Sequence, residues 1–247
     1  MSHSTKLITF FLTNLLLTLA VSGQSLTPQN ATIKSELIKP ESYQMKWLML
    51  QDSTEMQLAV ITTEIQQMAD ESLFITKVNM PNATMEWVDS TIVRSENLSP
   101  IYHSSHNQSR DMVINFGETI TGFHLDKKTN ERIVLNEKPT ELYFDSNSYQ
   151  HLIRWLPLEE NYTKTISIFD FNPVKKTGIL NAIIKNVVSD TFLINGSNRE
   201  VWKVLVVDGI SDYKVLSTFF IDKDTRELLK QEIEMPGRKM AMELIDN

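Results

Sequence analysis

From about residue 40 onward, apolar and polar side chains alternate over short runs, and turn-forming residues interrupt them every eight to twelve positions, which is the period-two signature of half-buried β-strands. Tyr43, Met45, Trp47 and Met49 share one face of a first strand. A second strand, 56–66, follows the turn at Asp52-Ser53-Thr54, and the same reading pairs 73–80 with 85–93 across Pro81-Asn82. Strands at 101–106, 112–116, 119–125 and 132–135 complete the first half. The period changes once, at 144–158, where Tyr149, Leu152, Ile153 and Leu156 follow the i, i+3, i+4, i+7 spacing of a helix with one buried stripe. Asp145, Ser146 or Ser148 can cap its start and Pro157 stops it. Arg154 falls off that stripe and is expected at the rim. Strands resume at 162–171, 179–188, 192–194, 199–207, 213–221, 227–234 and 239–245, with Asn195-Gly196 as the best hairpin turn. The corner 222–227 echoes 126–131, a reuse of one good turn.

This pattern predicts a mainly β fold: a curved antiparallel sheet or partly open β-barrel of about a dozen strands, with one short helix (about 146–156) covering an opening. Residues 40–247 form the single domain, and the polar stretch 24–39 is expected to be a flexible lead-in. Before it, Lys6 precedes an apolar run, 7–21, too short for a comfortable bilayer crossing, and Val21-Ser22-Gly23 supplies small residues for cleavage. Residues 1–23 therefore read as a signal peptide; an uncleaved anchor is the alternative. The expected product is exported, periplasmic or extracellular in a bacterium, and soluble or held at the membrane by partners.

Composition narrows the chemistry. The chain has no cysteine, so a lipid-acylated cysteine after the signal is excluded and stability must come from a core. A net charge of -7 leaves no basic footprint for nucleic acid, and the seven glycines form no phosphate cradle. No cofactor motif is present. His103 and His106 are three apart but on a strand, where odd spacing sends them to opposite faces, so they are expected to be surface or turn histidines rather than metal ligands. His124 and His151 stand alone, and no serine sits in a nucleophile elbow. Glu159-Glu160 reads as a solvated loop. Six Asn-x-Ser/Thr sequons, at Asn30, Asn82, Asn97, Asn107, Asn161 and Asn195, read as chance in a sequence rich in these residues.

Phe144-Asp145-Ser146-Asn147, then 152–158 (Leu-Ile-Arg-Trp-Leu-Pro-Leu) and Tyr162, resemble a segment of an exported bacterial domain family of unknown function. Trp202-Lys203-Val204, Thr218 to Asp222 with Thr225 to Lys230, and Ser99 to His103 resemble other parts of it. The resemblance implies an antiparallel, partly open barrel similar to the periplasmic lipoprotein-localisation carriers, with a helix wrapped by the sheet. It brings no catalytic residues. Asn161 stands where that family often has glycine, and asparagine tolerates the left-handed conformation such a loop needs.

Methionines and tryptophans on or beside the strands suggest an adaptable apolar lining. The candidate cavity residues are Met45, Trp47, Met49, Met85, Trp87, Leu152, Leu156 and Trp202; core filling is the competing role for all of them. Three functions follow: a non-enzymatic binding or envelope-assembly module for an apolar or lipid-like group or a partner's hydrophobic segment, an exported hydrolase using a histidine with nearby carboxylates, or a purely structural domain.

Overall fold

Alternation along the chain becomes one sheet of 15 strands in a computed structural model that describes residues 24–51, 54–194 and 196–245. The signal peptide expected at 1–23 lies outside the described residues, as does Asn195. The first meander runs β1 (Glu41–Gln51), β2 (Thr54–Met68), β3 (Glu71–Asn79), β4 (Trp87–Arg94), β5 (Pro100–His106), β6 (Arg110–Asn115), β7 (Ile120–Asp126) and β8 (Glu131–Glu137). After a short β9 (Phe144–Asp145) and the helix α1 (Tyr149–Trp155), a second meander runs β10 (Lys164–Phe171), β11 (Thr177–Ile194), β12 (Ser197–Asp208), β13 (Leu216–Asp222), β14 (Leu228–Met235) and β15 (Arg238–Ile245). Strand order in the sheet is β8 through β1, then β15 through β9, so the first and last strands join the two meanders. β9 pairs with β10 in parallel and the other neighbours are antiparallel.

The sheet curls without closing between β8 and β9. Its curvature shows in a cluster where Met112, Ile114, Ile120 and Leu135 of the first meander pack on Tyr143, Phe169 and Phe171. The main core lies around α1, where Leu152, Ile153 and Leu156 are fully buried and the Phe74 ring of β3 packs at a tilt against Trp155, 5.9 Å between centroids. Burying each of these aliphatic side chains contributes about 1.5–3 kcal/mol. Leu156 is already extended, with ψ 155°, because the ring of Pro157 disfavours helical geometry in the residue before it.

Several expectations are corrected. The strands number 15 rather than about a dozen, and the separate strands expected at 179–188 and 192–194 are one continuous β11 that absorbs a bulge between Ile184 and Asn186. The helix is shorter than 146–156, because residues 146–148 turn before it. Residues 24–39 are not a free lead-in: Leu26 bonds β10 through its amide to Thr165 O at 2.7 Å and its carbonyl to Ser167 N at 2.9 Å. Further along, Lys34 N donates to Trp155 O and the Gln67 side chain donates to Ile38 O. Two apolar anchors in a polar stretch, Leu26 and Ile38, are enough to seat it.

The repeated corner is one turn used twice. Asp126 Oδ1 accepts from the amides of Lys128 and Thr129, and Asp222 Oδ1 accepts from those of Asp224 and Thr225. Asn130 and Arg226 then take the left-handed conformation. Two of the sequon asparagines also work as turn formers, since Asn97 Oδ1 accepts from Ser99 N and Asn107 Oδ1 from Ser109 N. Asn161 has φ 61°, as its loop requires.

Candidate functional site

The interior surface of the sheet is shaped by what holds α1. Tyr149 donates its hydroxyl to Asp208 Oδ2 at 2.7 Å, and burial next to that carboxylate raises the phenol well above its ordinary value. Arg154, expected at the rim, is only 2% exposed. Its Nε donates to Arg226 O and its guanidinium forks onto Glu41 of β1. Leu152 and Leu156 therefore face the packed core rather than a lumen, which leaves the opposite side of the helix, with Gln150 and His151, facing an open space.

That space is a cavity of about 220 Å³ walled by Met45, Trp47, Ile61, Val78, Trp87 and Met242, among others. The β1–β15 register sets Trp47 opposite Met242, which places an indole beside a flexible thioether on the inner face. The Trp47 indole nitrogen is shielded from solvent and has no hydrogen-bond acceptor among the described residues. His151 packs 5.0 Å from the Phe74 ring, and burial together with the Arg154 charge pushes its pKa down to about 3, so it is neutral.

Of the eight residues singled out by composition, Met45, Trp47 and Trp87 line this cavity. The others do not. Met49 lies beyond a register shift between Trp47 and Leu48, after which Leu48 is the buried residue. Met85 precedes β4 on a turn and is 43% exposed, its sulfur 3.9 Å from Lys127 Nζ. Trp202 packs on the main core with Lys223 Nζ 4.5 Å from its ring centroid.

Beyond Trp87, Asp89 and Asn147 the same interior continues into a polar compartment of about 360 Å³ that includes His103, Arg110, His124 and Asp170. His103 was expected at the surface but is 5% exposed, and its Nδ1 lies 3.1 Å from Asp145 Oδ1. Burial alone would lower its pKa; the charge and hydrogen bond of Asp145 outweigh that and raise it above the ordinary histidine value. Thr91 donates to the other Asp145 oxygen, and Asn147 donates to Thr91. Ser146 donates to Asp170, whose carboxyl is pushed up, first by burial. His106 instead meets Asp111 at 2.9 Å, so the two histidines of β5 engage different carboxylates. No group of three or more metal-ligating side chains occurs among the described residues. Asp145, a helix-cap candidate by its position in the sequence, instead pairs with His103, and Arg110 carries no local sequence signal for its place in this compartment. The signal available was Phe144-Asp145 itself, a carboxylate set next to a large apolar residue just ahead of the helix.

A family model, described as a protein of unknown function, DUF3108, matches residues 42–243. The chain belongs to the DUF3108 family. Its fold is similar to that of a beta-barrel-like protein of domain of unknown function DUF1849 from Brucella abortus, with a TM-score of 0.51 and 9% identity over 84% of this chain and 96% of that one. At that identity the likeness concerns the fold. No curated protein matches the sequence. The DUF3108 domain thus keeps a curled sheet around a short helix, and two adjoining compartments, one apolar and one polar, lie inside it.

Proposed function

We propose that this domain is a non-enzymatic binding module of the bacterial envelope that holds an apolar or lipid-like group between α1 and the inner face of the sheet. The observation that carries the reading is the cavity of about 220 Å³ in which Met45, Trp47, Trp87 and Met242 meet. Thioethers and indoles are adaptable, large-area partners for an irregular apolar ligand, and such sites are mostly apolar with a few placed polar groups. The apolar run at 7–21 and the resemblance to lipoprotein-localisation carriers read from the sequence support the same class.

The hydrolase reading rests on His103 and Asp145, a buried imidazole oriented by a carboxylate. Its other nitrogen, Nε2, has no hydrogen-bond partner among the described residues, so no hydroxyl is in place as a nucleophile. The binding reading is preferred on that ground.

Titration with the neutral fluorophore N-phenyl-1-naphthylamine tests it. Saturable binding that changes Trp47 and Trp87 emission, and is lost in Trp47→Asp while Trp202→Phe behaves as wild type, is the expected result. No saturable binding, together with no lipid in native mass spectra, would overturn it.

A further inference from the structure

Around the polar compartment each carboxylate has its donor. Asp89 accepts from Trp87 Nε1 at 2.8 Å, Asp145 from Thr91 and His103, and Asp170 from Ser146. Arg110 is the exception. Its Nη2 donates to Ser105 Oγ at 3.0 Å, but its Nε is shielded from solvent without an acceptor, and no carboxylate lies within ion-pair distance of it among the described residues. The nearly buried His103 likewise presents an Nε2 with no partner. A guanidinium with one shielded, idle donor costs free energy until an acceptor arrives, and its planar fork matches carboxylate and phosphate oxygens. The guanidinium carbon lies 5.8 Å from the Trp87 ring centroid, and Trp87 belongs to both compartments.

We infer that the occupant of this interior is an amphiphile with an oxyanion head, its apolar part between Trp47 and Met242 and its head on the Arg110 guanidinium, with His103 Nε2 as a second donor when the imidazole carries both protons. The inference rests on the binding reading above and adds the ligand's class. Asp89 and Asp170 line the same space, with Asp145 buried behind His103, and their charges oppose a free anion; each accepts a hydrogen bond from a protein donor, and Arg110 supplies a cation with no carboxylate partner among the described residues.

Calorimetric titration of the full-length mature protein with octanoate, octyl phosphate, 1-octanol and octyltrimethylammonium separates the possibilities. At least one oxyanion should bind about tenfold more tightly than 1-octanol, with octanoate and octyl phosphate distinguishing a carboxylate from a phosphate head. Arg110→Gln should abolish that preference, bringing the favoured oxyanion down to about the affinity the same variant shows for 1-octanol. In the wild-type protein, the Arg110 Nε–H resonance should shift with the oxyanion and not with 1-octanol, a readout independent of how the variant folds. Equal binding of 1-octanol and both oxyanions, tighter binding of the ammonium, or a preference that survives Arg110→Gln would overturn the head-group assignment. If N-phenyl-1-naphthylamine still binds in those cases, the apolar site stands and the head-group inference alone fails. If neither it nor any octyl compound binds, both fail.

Discussion

Arg154 and Glu41 meet as a two-point fork, Nη1 2.5 Å from Oε1 and Nη2 3.0 Å from Oε2, although 113 residues separate them in the chain. The pair joins α1 to the strand beside the β1–β15 junction. Removing one partner of such a pair leaves a buried charge or its donors unmet, which costs about 3–5 kcal/mol. Arg154→Ala should therefore lower the urea midpoint strongly, and Arg154→Lys, which cannot fork, should recover only part of the loss. A midpoint for Arg154→Ala equal to wild type would mean that the fork carries no stability.

Leu152 lies at the centre of the buried helix stripe with no exposed surface. Truncation to alanine should cost about 2–5 kcal/mol. Leu152→Asp should cost more, because an unpaired carboxylate would sit in an apolar site. Thermal melts of the two variants should show both destabilised and the aspartate more so.

His151 gives stability a definite slope in acid. Its folded pKa is pushed from 6.5 down to about 3, chiefly by burial, so between those values the unfolded chain binds a proton that the folded state refuses. Stability should fall as pH drops from 6.5 towards 3, and His151→Phe should flatten that fall. His103 works with the opposite sign. Its folded pKa is raised, so its contribution is complete below 6.5 and fades as pH climbs through the folded value. Urea titrations at several pH values, on His151→Phe and His103→Gln separately, should resolve the two slopes.

Gly122 on β7 pairs with Ile114 of β6. A β-carbon there would run into the Val113 carbonyl oxygen and come within 3.0 Å of the Ile114 α-carbon, so only glycine lets the backbones approach this closely. Gly122→Ala should destabilise the domain or shift the β6–β7 pairing, visible as lost protection of those amides in hydrogen exchange.

Much of the fold was legible because its signals are local. Strand alternation, the Asp-led turns and the spacing of Tyr149, Leu152, Ile153 and Leu156 each depend on neighbours within a few residues. Arg154 was misjudged because periodicity assigns it a side of the helix but says nothing of the Glu41 carboxylate waiting on that side. His103 was misplaced for a similar reason: alternation separates the two faces of β5, and only the curl of the whole sheet decides that both Asp145 and the polar compartment lie on its side. Methionine and tryptophan content pointed to Met45, Trp47 and Trp87, which line the cavity of about 220 Å³. It also pointed to Met49 and Met85, which a register shift and a bend ahead of β4 place outside that cavity.

The strand order has a kinetic meaning. Nearly every pairing joins strands adjacent in the chain, so each meander can zip hairpin by hairpin at little loop-closure cost. The exception is β1 with β15, which must close a loop of about 200 residues, adding an entropic cost that grows only as the logarithm of length. Refolding should then show two fast local phases and one slower closure. Substitutions along the β1–β15 ladder, such as at Met45 or Ala241, should speed unfolding while leaving the early phases untouched.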